Sequence, residues 1–326
     1  MKLKSIAGNF AAFGLFAFLF AAPPVRADDY PSRTIHVVVP FAAGGLNDNV
    51  IRTLQPYLSQ KLKQTIVVEN RSGASGIIGS EAVAKAAPDG YTLLVVASSH
   101  TVTPATRKHM PYDAVKSFAP VSLLMRDPLL FVVGKKVPAK TLADFVKLAK
   151  SEPGKLNYAT PGSGSQAHFV TELFDMAAGI KMVEVPYRGG APAVLSLVSG
   201  QTQFSALSQQ LSVPHIKAGD LRALASGGSE RSQQTPDVPT LAEAGYPKVD
   251  AMQWVGMLAP AGTPKPIIDK LNGVLRDVLG MAEVKSKFAK LGMTATSSTP
   301  EEFHKLLAEE VARWREVGRK AGIALH

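Results

Sequence analysis

Residues 35–62 read IHVVVPFAAGGLNDNVIRTLQPYLSQKL. The β-branched run at 35–39 predicts a buried strand, and Gly44 and Gly45 predict a tight loop directly after it. Apolar residues then recur at helical spacing, at Val50, Ile51, Leu54, Leu58 and Leu62. A buried strand, a glycine loop and an amphipathic helix form the unit from which helix-covered parallel sheets are built.

The alternation of strand and helix continues along the chain, and it predicts an α/β fold. Further strands are predicted at 65–68, 91–96, 156–159, 182–185, 203–207 and 221–225. Two long apolar segments, 119–125 running into 129–133 and later 252–258, are candidates for strands that cross between two lobes.

The C-terminal third is mostly helical. Helices are predicted at 264–279, 282–291 and 299–321. Thr299-Pro300-Glu301-Glu302 has the pattern of a capping box with proline at the first helical position, so it marks the start of the last helix.

The first residues predict the compartment. Lys2 and Lys4 precede an apolar run at 10–22, which ends in Pro-Pro-Val-Arg-Ala at 23–27. This is the order of a signal peptide, predicted over 1–27, and the run is shorter than the ~20 residues of a membrane-spanning helix. An uncleaved N-terminal anchor is the alternative. We therefore expect a periplasmic protein.

Composition limits the class of function. The sequence has no cysteine, so it predicts neither disulfides nor a thiolate metal site. Without residues 1–27, 33 basic residues remain against 26 acidic ones. That surplus permits an anionic ligand, whereas the scattered basic residues do not predict nucleic-acid binding. The roughly 300 remaining residues exceed the size of a single core, which favours two lobes.

Two glycine-rich loops each follow a strand and precede a helix. They span 40–48 (PFAAGGLND) and 160–168 (TPGSGSQAH). The first N–H groups of a helix lack intrahelical partners and carry partial positive charge, so such a loop can bind a carboxylate without Arg or Lys. Tight turns alone would also explain each loop. One loop in each half of the chain favours a ligand between two lobes.

The sequence supports an enzyme less well than it supports a ligand-binding protein. Neither loop matches a nucleophile elbow or a phosphate-binding loop, and no histidines pair as zinc ligands. Ser163 or Ser165 with His168 remains a possible nucleophile and base, so a hydrolase is an alternative. His168 either lines the cleft or packs structurally. Asp48 either positions a ligand or pairs with Arg52 four residues later, and the two roles are compatible.

At these residues the chain resembles the Bug receptors of tripartite tricarboxylate transporters. The matching motifs are VPFAAGG (39–45) with Asp48 and Arg52, ENRSGASG (69–76) with Gly79, PDGYTLL (88–94), GSGS (162–165) with His168, VPYRG (185–189) with APA (191–193), and Trp254 with APAGTP (259–264). The resemblance implies a type II periplasmic binding protein fold, with two α/β lobes joined by crossing strands and the ligand in the interlobe cleft. The implied division is 28–125 with 250–326 for the first lobe and 126–249 for the second.

The resemblance also implies a function and a site. The protein would be a monomeric receptor that captures a small carboxylate without a cofactor, metal or turnover and delivers it to a membrane permease. A sensor read by a membrane kinase is an alternative. The expected ligand-binding residues are Phe41, Ala43, Gly44, Gly45, Asn47, Asp48, Ser98, Ser99, His100, Gly162, Ser163, Gly164, Ser165, His168, Tyr187, Arg188, Gly189, Leu207 and Ser208.

Three of these expectations concern particular side chains. Ser98, Ser99 and His100 would lie at the open end of the cleft. Arg188 would cover the ligand or form a surface ion pair. Many members of the family carry an acidic residue followed by Asn where this chain has Leu207 and Ser208. A ligand without an amino group is therefore expected, unless Leu207 merely packs and Asp48 meets the ammonium.

Overall fold

Strand β1, Ile35–Val39, and helix α1, Leu46–Leu62, occupy the positions that the sequence predicts. The structure is a computed structural model that describes residues 30–323. The predicted signal peptide lies outside the described residues. The other strands are β2 Ile66–Asn70, β3 Thr92–Ala97, β4 Phe118–Gly134, β5 Asn157–Thr160, β6 Val183–Pro186, β7 Phe204–Ser208, β8 Leu221–Ser226 and β9 Met252–Pro260. The other helices are α2 Ile77–Ala84, α3 Ser99–Val102, α4 Leu142–Ser151, α5 Gln166–Ala178, α6 Gly190–Ser199, α7 Gln209–Lys217, α8 Lys265–Gly280, α9 Ala282–Lys290 and α10 Pro300–Ala321.

The strands follow the order β2-β1-β3-β9-β4-β7-β5-β6, and β8 also pairs with β4. Strand β1 is parallel to β2 and β3, and β5 is parallel to β6 and β7. Strand β9 is antiparallel to β3 and β4. The α/β prediction is confirmed, with one lobe around β1 and the other around β5. Among residues 30–323, no helix is long and apolar enough to cross a bilayer.

Strand β4 connects the lobes as one continuous strand, over the apolar segment that the sequence predicts to cross between them. Its first part pairs with β9 as far as Pro128, and its second part pairs with β7 from Leu129 onward. The polar residues and proline at 126–128 interrupt the apolar pattern where β4 changes its neighbour. Pro128 has no N–H to donate to a neighbouring strand. It lies where β4 stops pairing with β9 and starts pairing with β7, so the strand continues past it.

Each lobe has its own hydrophobic core. In the first, α1 and α8 cover one face of the sheet and bury side chains such as Leu54 and Leu271. In the second, Phe131, Phe145 and Phe204 lie fully buried with ring centroids 4.9 to 5.2 Å apart. Burial of each such side chain stabilises the fold by about 1.5–3 kcal/mol.

Helix α10 contributes to both cores. The predicted capping box is confirmed, because Thr299 and Glu302 exchange hydrogen bonds between side chain and backbone. Near its start Phe303 packs in the first lobe, whereas Trp314 packs in the second against Phe169 at 6.1 Å. The division of the chain into 28–125 with 250–326 and 126–249 remains a proposal, and the last turns of α10 pack against the second lobe.

Candidate functional site

The first glycine loop, residues 41–48, is held by hydrogen bonds to Asp48. Gly44 has a φ of +77°, which favours glycine, and its N–H donates to Asp48 Oδ2 at 2.9 Å. Asp48 is buried and also accepts from Arg52 Nε at 2.9 Å and from Asn70 Nδ2 at 3.0 Å. Burial opposes its ionisation, yet these hydrogen bonds hold the pKa of Asp48 below its ordinary value. The predicted pair with Arg52 is confirmed, and the carboxylate is ionised.

The second glycine loop, residues 160–168, has the same arrangement at the start of α5. Gly164 has a φ of +79°, and its N–H donates to His168 Nδ1 at 3.1 Å. Glu184, on the neighbouring strand β6, accepts from Thr160 Oγ1 at 2.7 Å and from Ser163 Oγ at 2.8 Å. Because a backbone N–H only donates, Nδ1 is the unprotonated nitrogen of this imidazole.

A cavity of about 250 Å³ opens at the N-terminus of α5. It is lined by Ala97, Ser98, Ser99, Leu129, Pro161, Ser165, Gln166, Ala167, Gly190, Ala206, Leu207, Ser208, Leu211 and Gln253. These residues come from both lobes and from the connecting strands, and none of them is ionisable. The N–H groups of Gln166 and Ala167 have no acceptor among the described residues. The cavity therefore combines uncharged hydrogen-bond donors on one side with apolar side chains on the other.

The structure brings some of the predicted residues together in this cavity. Ser98, Ser99, Ser165, Leu207 and Ser208 line it. The first glycine loop does not line it, and residues 42–45 are exposed. The side chain of Asn47 is buried and turns towards β3, where its Nδ2 donates to Val95 O at 3.4 Å. Of the two glycine loops, only the second therefore contributes to this cavity.

His168 lies on the opposite side of the second glycine loop from this cavity. Together with Ser163 and Gly164 it lines a separate space of about 340 Å³, along with Arg107 and Glu172. His168 is 7% exposed, and its ring nitrogens lie 3.5 Å from Glu184 and 4.0 Å from Glu172. His168 therefore does not line the 250 Å³ cavity, and its ring turns back to hold Gly164.

Two further predicted side chains are engaged inside the first lobe. Ser98 Oγ accepts from the N–H of Trp254 at 2.9 Å, so its hydroxyl is occupied although the residue borders the cavity. His100 is buried against Tyr112 and Phe118, and its Nε2 lies 2.9 Å from Ala114 O. Burial lowers the pKa of His100 to about 4. The expected position of His100 at the open end of the cleft is not met, because the aromatic core encloses its ring.

The segment Tyr187-Arg188-Gly189 lies beside the second glycine loop. The N–H groups of Tyr187 and Gly189 donate to Thr160 O at 2.9 Å and to Pro161 O at 3.0 Å. Arg188 is exposed and forms no ion pair among the described residues. The alternative of a surface ion pair is therefore not observed for Arg188, which lies between the two residues that bond to the second glycine loop.

The serines do not form a nucleophile and base with His168. Ser163 Oγ donates to Glu184, and Ser165 Oγ accepts from the backbone N–H of His168 at 3.4 Å. The imidazole Nδ1 is occupied by Gly164. Within the described chain, no cluster of three or more His, Cys, Asp or Glu side chains could hold a metal ion.

The lining residues that are absent from the predicted site include Gln166, Gly190, Leu211 and Gln253. Gln166 Nε2 donates to Met252 O at 2.6 Å and so connects α5 to the start of β9. A Cβ at Gly190 would lie 2.3 Å from Leu211 Cδ1, so glycine makes room for that leucine. The position of Gln166 directly after the helix cap at Ser165 was a usable signal, whereas the other contacts depend on distant parts of the chain.

Comparison with known proteins identifies relatives over nearly the whole chain. The family described as "Tripartite tricarboxylate transporter family receptor" matches residues 50–323. Protein BugT of Bordetella pertussis (strain Tohama I) is 39% identical over 318 residues, which cover 97% of this chain and 98% of BugT.

Solved structures agree in fold. Rpa4515 of R. palustris, determined with adipate, is 34% identical with a TM-score of 0.78, covering 91% of this chain and 100% of that one. MatC from Rhodopseudomonas palustris, with bound malate, is 35% identical with a TM-score of 0.74, covering 89% of this chain and 100% of its own.

Proposed function

We propose that this chain, which belongs to the tripartite tricarboxylate transporter receptor family, is a periplasmic receptor that captures a small carboxylate and delivers it to a membrane transporter of that type. Its relatives include proteins determined with adipate and with malate. We extend the class of ligand, a small organic acid, to this chain. A predicted signal peptide at 1–27 is consistent with export.

The observation that carries the proposal is the cavity at the start of α5. Its polar donors are backbone N–H groups at a helix N-terminus, next to hydroxyl and amide side chains. Such donors favour an oxyanion through the helix dipole and cost little reorganisation. No lysine or arginine lines the cavity, so the carboxylate would be held by backbone rather than by an ion pair.

In our proposal the first glycine loop joins this site by closure of the lobes. Its residues 42–45 are exposed, and the N–H groups of Leu46 and Asn47, the first two residues of α1, have no acceptor among the described residues. A hinge movement would bring these donors onto the ligand from the opposite side. Arg188 and Tyr187, from the second lobe, would then cover it.

Binding without turnover is supported by the contacts of the serines. Neither Ser163 nor Ser165 is hydrogen-bonded through its hydroxyl to the imidazole of His168, the base that the hydrolase alternative requires. A family of transport receptors favours delivery to a permease over an enzymatic role. Signalling through a membrane kinase would use the same closed form, and no contact among residues 30–323 favours it specifically.

A ligand screen tests the proposal. Residues 28–326 would be purified and unfolded thermally with mono- and dicarboxylates, matched uncharged amides serving as controls. A ligand at 100 times its Kd should add about 2.7 kcal/mol to the free energy of unfolding. Failure of every carboxylate to raise the Tm would refute carboxylate capture. Loss of uptake of the binding acid in a strain without this protein would test delivery, and normal uptake would contradict it.

A further inference from the structure

The two glycine loops share one hydrogen-bonding pattern although they lie in different lobes. In each, a glycine with a φ near +78° precedes the helix cap, at φ +77° for Gly44 and +79° for Gly164. In each, the side chain four residues later accepts that glycine's N–H, at 2.9 Å for Asp48 and 3.1 Å for His168. Both acceptors are the third residue of their helix.

This pattern is a capping box moved back by one residue. In a capping box the third helical residue accepts the N–H of the cap itself. Here it accepts the N–H of the residue before the cap, so the side chain closes a ring around the whole glycine turn. The turn is thereby fixed in the left-handed conformation that only glycine adopts readily.

Each glycine loop is also held by a residue on the neighbouring strand. Asn70, on β2, donates from Nδ2 to Asp48 and to Phe41 O, at 3.0 and 3.1 Å. Glu184, on β6, lies 3.5 Å from His168 and accepts from two hydroxyls of its loop. Strand β2 flanks β1 as β6 flanks β5, so the support is in the same place in both lobes.

The same pattern determines which N–H groups remain for a ligand. The N–H groups of Gly44 and Gly164 are bonded within their loops. The N–H groups of the first two residues of each helix have no acceptor in the described part of the chain. These residues are Leu46 and Asn47 in α1 and Gln166 and Ala167 in α5. Gln166 and Ala167 line the cavity, whereas His168 lies behind the loop.

We infer that Asp48 and His168 are a matched pair of positioning residues, which fix the two glycine loops so that the following N–H groups point at the ligand. Neither side chain contacts the ligand. The inference rests on the proposed carboxylate-binding function and assigns to two specific residues the preorganisation of that site. It predicts that affinity depends on a hydrogen-bond acceptor at each position and not on its charge or ring.

Variants that keep or remove the acceptor test this inference. In Asp48→Asn and His168→Asn the amide oxygen occupies nearly the position of Asp48 Oδ2 or His168 Nδ1, so the bond to glycine is kept, while Asp48→Asn loses the oxygen that accepts from Asn70. Asp48→Leu and His168→Phe remove the acceptor at similar volume. Calorimetry with the tightest carboxylate of the screen should give a Kd within about threefold of wild type for His168→Asn, an intermediate Kd for Asp48→Asn, and a Kd at least tenfold weaker for the apolar variants.

Asp144→Leu is the matched control for the loss of a capping carboxylate. Asp144 is also the third residue of its helix and accepts from Lys140 N at 3.1 Å, outside both cavities. The variant Asp144→Leu should lower the Tm without changing the Kd for the carboxylate.

Hydrogen exchange of the Gly44 and Gly164 amides, followed by NMR without ligand, separates this inference from the proposed function. Exchange should be slow in wild type and in the Asn variants and fast in the apolar variants. Unchanged exchange in the apolar variants would overturn the inference whether or not any carboxylate binds. Folded apolar variants that bind as wild type, or Asn variants as weak as the apolar ones, would also overturn it. A wild type with the expected exchange pattern that binds no carboxylate would refute only the proposed function.

Discussion

The indole Nε1 of Trp254 donates to Glu310 Oε2 at 3.0 Å, in the interior between β9 and α10. Thr101 Oγ1 donates to the same carboxyl oxygen at 2.7 Å. The backbone N–H of Trp254 donates to Ser98 Oγ, which borders the ligand cavity. A connected set of hydrogen bonds therefore links α10 to a connecting strand and to the rim of the site. Burial raises the pKa of Glu310 to about 7.

This raised pKa predicts that stability falls as the pH rises. Between about pH 4.5 and 7 the folded protein keeps a proton on Glu310 that the unfolded chain has lost, so the free energy of unfolding decreases across this window. Burial raises the pKa of Asp127 to about 6 and of Asp175 to about 7, which acts in the same direction. Burial lowers the pKa of His100 to about 4, which acts in the opposite direction below about pH 6.5. The three carboxyl groups together outweigh this one imidazole, so chemical denaturation should show wild type more stable at pH 5 than at pH 8.

The variant Glu310→Gln isolates the contribution of this one carboxyl. The amide keeps an acceptor for Trp254 and cannot ionise, so its free energy of unfolding should depend on pH less than that of wild type, by roughly 1–3 kcal/mol between pH 5 and 8. Glu309→Gln, at an exposed position on the same helix, should retain the wild-type slope. An unchanged slope in Glu310→Gln would contradict the assignment.

Substitution of the second glycine loop should weaken binding more than removal of the nearby cation. Gly164 has a positive φ, and a Cβ there would lie 3.0 Å from Thr106 Cγ2. Gly164→Val should therefore weaken the Kd at least tenfold, whereas Arg188→Ala should change it less than about threefold. Calorimetry checks the ranking. Gly154→Val, at φ +71° with open space around it, controls for backbone strain, and the reverse ranking would refute backbone recognition.

The fold was predictable because its signals are local. The strand, glycine loop and helix at 35–62 appear as the pattern predicts, and so does the capping box at Thr299. The polar residues and proline at 126–128, inside the predicted crossing segment, lie where β4 changes its neighbouring strand. A sequence pattern reports how apolar a segment is, but not which strand pairs with it.

The site was less predictable, because side-chain direction depends on distant contacts. The hydroxyl of Ser98 accepts a hydrogen bond from the backbone N–H of Trp254, which lies 156 residues further along the chain. His100 turns inward because Tyr112 and Phe118 enclose it. The offset between Gly44 and Asp48 recurs between Gly164 and His168, and that repetition is visible in the sequence once the two loops are aligned.

We predict that the protein is a monomer whose lobes close on the ligand. The cavity is lined by the second glycine loop and not by the first, so a ligand that contacts both requires movement. The sequence has no cysteine, which allows spin labels at two introduced ones. Ile78 and Leu195 are exposed, 55% and 60%, on α2 and α6. The distance between labels at Ile78→Cys and Leu195→Cys should shorten with ligand. An unchanged distance and radius of gyration at saturation would contradict closure.

The last prediction is that the ligand lacks an amino group, and it depends on Leu207. This residue is 1% exposed to solvent at the end of β7 and borders the cavity, and no lining residue carries a negative charge. An ammonium without a carboxylate or several acceptors is costly to desolvate. The alternative partner, Asp48, already accepts hydrogen bonds from Gly44, Arg52 and Asn70. Calorimetric titration should therefore show succinate binding at least tenfold more tightly than aspartate, and glutarate more tightly than glutamate. Tighter binding of the amino acids would show that acceptors other than Leu207 meet the ammonium.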